Sequence, residues 1–157
     1  MRHCAKLSIA AAAALSLSSA AIAREADQVI MPEDPQINAL FEQFGFSEAV
    51  IHGDTVYLSG VVAGPAADGM TEEQVYEEAF ARIGRTLERS GSSFDDVVEI
   101  TTFHVDLEAS AAAFVAVKNR YLTAPFPAWT AIDIDRLFIE GALVEIKIVA
   151  RITPTSE

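Results

Sequence analysis

Cysteine is almost missing from this chain, and basic charge is scarce. The single cysteine, Cys4, stands near the start. One thiol makes no intramolecular disulfide, and Cys4 would leave with the leading segment, so the fold must draw its stability from its core or from an oligomer. Lys and Arg number 11 against 23 Asp and Glu, a formal net charge of -12. A surface of that sign repels phosphate backbones, and no basic cluster stands outside the first residues, so no nucleic-acid partner is expected. His52 and His104 lack a third ligand at metal spacing and read as ordinary polar residues. There is no internal repeat. No apolar run reaches the roughly 20 residues that span a bilayer as a helix.

Arg2, His3 and Lys6 form a basic head, an apolar run follows from Leu7 to about Leu17, and Ala21-Ile22-Ala23 offers small residues for cleavage. That is the pattern of a signal peptide over residues 1–23, with a secreted or periplasmic product and no membrane insertion after cleavage as the expectation. Cys4 precedes the apolar run, where no lipid-attachment site would be. Residues 24–36 are polar, contain Pro32 and Pro35, and read as a flexible lead-in. Residues 37–152 hold one domain, and 153–157 a disordered tail. So short a domain, without a disulfide, points to an oligomer for part of its stability.

Within the domain, Ile37, Leu40, Phe41 and Phe44 share one helical face. Residues 49–52 and 55–60, around Gly53-Asp54, read as a hairpin. Thr71-Glu72-Glu73-Gln74 is a capping-box signature, and Val75, Ala79, Ile83 and Leu87 give the helix behind it a buried stripe ending at Ser90-Gly91. β-branched residues make 97–105 a strand. Residues 111–122 form a second amphipathic helix with Phe114, Val117 and Tyr121 toward the core, closed by Pro125 and Pro127. Strands at 129–135 and 143–152 complete a β-β-α-β-α-β-β order, most economically one sheet with two helices on one face. In the last strand Val144, Ile146, Ile148 and Ala150 alternate with Glu145, Lys147 and Arg151. The second face is expected to carry Glu145, Lys147, Asp133 and Trp129 and to meet another subunit.

Four segments together resemble the RidA/YjgF family: Gly45-Phe46-Ser47-Glu48-Ala49-Val50, Gly53-Asp54-Thr55-Val56-Tyr57-Leu58-Ser59-Gly60, Asp96 to Leu107, and Ala124-Pro125-Phe126-Pro127-Ala128-Trp129-Thr130 with the Val144-Glu145-Ile146 that follows. The resemblance implies a chorismate-mutase-like α/β fold, a sheet of about five to six strands, and a homotrimer with clefts between subunits. It also implies cofactor-free, metal-free hydrolysis of a small enamine or imine to a keto acid and ammonia. In that family an arginine grips the substrate carboxylate and an acid positions water. Here Glu145 matches the acid, Ser59 and Gly60 match the cleft wall, Trp129 stands in place of the arginine, Phe46 in place of a tyrosine, and Lys118 in place of an asparagine.

Each of these residues also has a plainer reading. Trp129 lines a cleft or anchors a core or subunit contact. Glu145 is a water-positioning acid or a surface charge beside Lys147. Lys118 is a replacement carboxylate binder or a solvated charge. Two functions stay open: an exported imine or enamine hydrolase, and a non-catalytic trimer that holds a small ligand in an apolar Trp-lined cleft. Chorismate mutase chemistry needs several cations around a dicarboxylate, which a net-negative cleft with Trp129 does not offer.

Overall fold

The computed structural model describes Glu25 and residues 28–152; the segment expected to be a signal and the tail at 153–157 lie outside the described residues. Seven strands and three α-helices follow in the order β1 (Val29–Ile30), α1 (Pro35–Phe44), β2 (Ala49–His52), β3 (Thr55–Leu58), β4 (Val61–Ala63), α2 (Glu72–Arg89), β5 (Val97–His104), α3 (Leu107–Tyr121), β6 (Ala128–Asp133) and β7 (Val144–Arg151). All strands join one mixed sheet in the order β1-β2-β3-β7-β5-β6, with β4 also paired to β7. Only β5 and β6 run parallel, and α3 makes the crossover between them.

Two strands exceed the expectation. β1 has two residues, too few for any periodicity to reveal. β4 continues the line of β3 along β7: pairing stops at Tyr57 opposite Val149 and resumes at Val61 opposite Ile146. The interruption falls at Ser59-Gly60. α1 begins inside the segment read as flexible. Asp34 caps it by accepting from Gln36 N at 2.8 Å and Ile37 N at 3.1 Å, and Pro35 opens the first turn. Gly45, at φ 73°, closes it in the left-handed region that a side chain would disfavour.

α2 carries the expected capping box: Thr71 Oγ1 accepts from Gln74 N while Thr71 N donates to the Gln74 side chain at 2.8 Å. Val75, Ala79, Phe80, Ile83 and Leu87 from α2 and Phe114 and Val117 from α3 are buried with Val56, Leu58, Ile100, Ile146 and Ile148 of the sheet. Phe80 stacks on Tyr121 with ring centroids 4.9 Å apart, which locks the two helices together. The helices therefore cover one face of the sheet. Glu145 and Lys147 alternate with fully buried Val144, Ile146 and Ile148, and so point to the other, open face.

Candidate functional site

Trp129 and Asp133 do not share that open face, contrary to the expectation from sequence. β6 lies beside β5 in register, with Trp129 opposite Ile100 and Asp133 opposite His104. Ile100, Thr102 and His104 form the buried side of β5, so Trp129 projects toward the helices. The sequence misleads here because β6 offers no polarity contrast. It is an edge strand whose six residues are all exposed.

Trp129 meets Lys118 there. The indole packs beside Phe114, with centroids 6.1 Å apart, and stays 40% exposed. The Lys118 ammonium sits 4.8 Å from the indole centroid and 6.0 Å from that of Phe126. Lys118 is only 7% exposed, and Nζ donates to Asn119 Oδ1 at 2.8 Å. Among the described residues no carboxylate pairs with it. Burial pulls its pKa below the ordinary lysine value. A desolvated cation held between aromatic faces and one amide oxygen is under-compensated, and a carboxylate is the group that would complete it.

A chain of hydrogen bonds runs on from the indole. Trp129 Nε1 donates to Thr102 Oγ1 at 3.0 Å. Thr102 Oγ1 lies 2.9 Å from His104 Nε2, and His104 Nδ1 lies 2.8 Å from Ser110 Oγ. Thr102 and His104 are wholly buried. These three residues had no place in the expected site. The available signal was the alternation Ile100-Thr102-His104, which puts two polar groups on a strand's apolar face. Burial depresses the His104 pKa, partly opposed by the charge of Asp133. The folded chain therefore takes up this proton later than the unfolded one, so His104 contributes stability above the ordinary imidazole value and loses it as pH falls below that. Between about pH 7 and 5 the wild type should lose more melting temperature than a His104→Gln variant; parallel curves would contradict this.

Glu145 lies on the other side with Gly60. It pairs with Val62 of β4 and Phe103 of β5, and its carboxylate fills the space that a side chain at Gly60 would need. Ser59 is committed to the frame: Oγ donates to Ser47 O at 2.6 Å, and its N–H donates to Glu48 O at 3.0 Å. Phe46 packs against Phe41, with ring centroids 4.1 Å apart and the planes tilted by 31°, and remains exposed. The predicted residues thus fall into two groups within one chain, Trp129 with Lys118 and Glu145 with Gly60, on opposite faces. Neither Trp129 nor Glu145 lines the hollow of about 720 Å³ beside Tyr76, Ser110, Arg136 and Phe138. No helix among the described residues is long and apolar enough to cross a membrane.

The family described as Endoribonuclease L-PSP matches residues 36–152. The RutC family protein YjgH of Escherichia coli (strain K12) is 34% identical over 119 residues, covering 73% of this chain and 88% of its own. A 2-iminobutanoate/2-iminopropanoate deaminase of Dermatophagoides farinae is 30% identical over 112 residues, 65% of this chain and 81% of that protein. Among solved structures, protein YJGH superposes with a TM-score of 0.69 at 29% identity, covering 85% of this chain and all of the other.

Proposed function

This chain belongs to the Endoribonuclease L-PSP family, the RidA/YjgF group, and from that premise we propose that it is an exported, cofactor-free hydrolase of small 2-imino or enamine carboxylates. In this reading three copies assemble, and the cleft forms where the Trp129–Lys118 pair of one protomer faces the Glu145–Gly60 pair of its neighbour. A lone chain holds the two pairs apart, so the reading requires the assembly.

The single observation that carries the proposal is the buried Lys118 ammonium, which has no acid partner among the described residues and lies 4.8 Å from the indole centroid. It returns to the cleft the positive charge that Trp129 does not bring. The substrate carboxylate would pair with Nζ, and the planar C=N group would lie against the indole. Glu145 would accept a proton from water as the oxygen adds to the C=N carbon. Collapse of the resulting amino alcohol expels ammonia and leaves the keto acid, so imine plus water gives ketone plus ammonia. Cleavage of RNA, the activity in the family's description, fits this chain less well, since a net charge of -12 opposes polyanion binding.

The test supplies purified protein with 2-aminoacrylate, generated in place by a dehydratase, and follows keto-acid release. Release faster than in buffer is expected, and no acceleration overturns the hydrolase. The exposed Trp129 ring favours one other outcome, a binding protein: pyruvate would then perturb indole fluorescence saturably while no imine turns over.

A further inference from the structure

We propose that Thr102 and His104 are positioning residues that fix the indole of Trp129, and through it the ammonium of Lys118. The proposal rests on the reading of Trp129 and Lys118 as cleft residues, but its physical content is separate.

Trp129 stands on an edge strand whose residues are all exposed. Phe114 and Lys118 meet the ring, and among the described residues the hydrogen bond that fixes its orientation is the one from Nε1 to Thr102 Oγ1. An indole N–H only donates, so Thr102 must accept, and its own hydroxyl proton needs another acceptor. Two stand nearby: His104 Nε2 at 2.9 Å and Thr130 O at 3.5 Å. The shorter contact takes the proton. His104 Nε2 is then the bare nitrogen, and Nδ1 carries the hydrogen that Ser110 Oγ accepts at 2.8 Å. The direction of the whole chain follows from the indole being a donor and nothing else.

Packing does not explain this arrangement. Thr102 and His104 lie among Ile100, Val144 and Ile146, where apolar side chains would serve as well. Both are wholly buried, so neither touches a substrate; they act on the cleft by setting the plane of the ring over which Nζ lies.

The chain's one tryptophan makes the test direct. Acrylamide quenching and the emission maximum of Trp129 are measured without ligand in the wild type, Thr102→Val and Thr102→Ser. Loss of the hydroxyl in the near-isosteric valine should raise quenching roughly twofold, the scale set by one lost hydrogen bond, and should lower the melting temperature because buried His104 Nε2 loses its partner, so quenching is read well below the transition. Serine should restore the wild-type value. Unchanged quenching in the valine variant, or equal disturbance by serine, overturns the proposal. Should the valine variant fail to fold, Thr102→Ala removes the same bond without crowding and is judged by the same two outcomes. Pyruvate titration in the same samples keeps the two readings apart. If wild-type fluorescence does not respond to pyruvate, the cleft assignment fails, while unliganded quenching still decides whether Thr102 holds the ring, and the same measurement on His104→Leu, expected to raise quenching as the valine variant does, decides whether His104 acts through it.

Discussion

Lys118→Met is expected to melt at a higher temperature than the wild type while binding pyruvate roughly ten- to a hundredfold more weakly, the range for losing a charge-assisted hydrogen bond. The substitution keeps an unbranched chain of similar length in a site that is almost fully buried. It removes an ammonium whose described partners are two rings and an amide oxygen. The cation–π contact returns part of the desolvation cost, and the remainder makes the apolar residue more stable by about 1 kcal/mol. That corresponds to a rise of about 3–5 °C in melting temperature for a domain of this size.

The pH dependence has a definite sign. The folded chain's lysine has a depressed pKa, so it releases its proton before the unfolded chain does. Wild-type stability therefore rises as pH climbs toward the ordinary lysine value of about 10.4, and the gap to the methionine variant narrows. A variant that melts lower and still binds pyruvate would show that Lys118 is a structural residue.

Glu145→Gln should lower imine turnover by roughly 10²- to 10⁴-fold, the usual contribution of a positioned acid–base group, and leave pyruvate binding at Lys118 intact. Gly60→Ala approaches the same carboxylate from its backing. An added Cβ would stand 2.6 Å from Glu145 Cδ, so the side chain must swing away. The displaced atoms are the end of a flexible chain, and Gly60 lies outside the left-handed region. The stability cost should therefore stay below about 1 kcal/mol. Turnover should nevertheless fall roughly tenfold or more, because the carboxylate loses its place. The double variant should be no slower than Glu145→Gln alone, since both changes remove one function. Independent, multiplying losses would mean that Gly60 acts on something other than Glu145.

Strong local patterns made much of the fold legible. The capping box of α2, its four-residue stripe and the alternation of β7 each have one physical solution, and the chain adopts it. The short strands were hidden because two or three residues carry no period. The site was legible only in part. Lys118 and Trp129 were named, and they meet. The face that Trp129 uses was misread because both sides of β6 mix apolar and polar residues, and only its parallel register with β5 sets their direction. Thr102, His104 and Ser110 leave only a faint mark, two polar residues alternating with Ile100 on the apolar face of β5, and nothing in their spacing links them to Trp129, 27 residues from Thr102. Ser110 comes from α3 and the other two from β5.

The strand that carries the indole is also one of the sheet's two edges, and edges invite stray strands to join them. Pro125 and Pro127 stand just ahead of it and can donate no hydrogen bond, while Asp133 and Asp135 stand at and beyond its far end. Between those prolines and acids the free edge is about five residues long, 128–132, shorter than the six- or seven-residue segments that stack into fibrils.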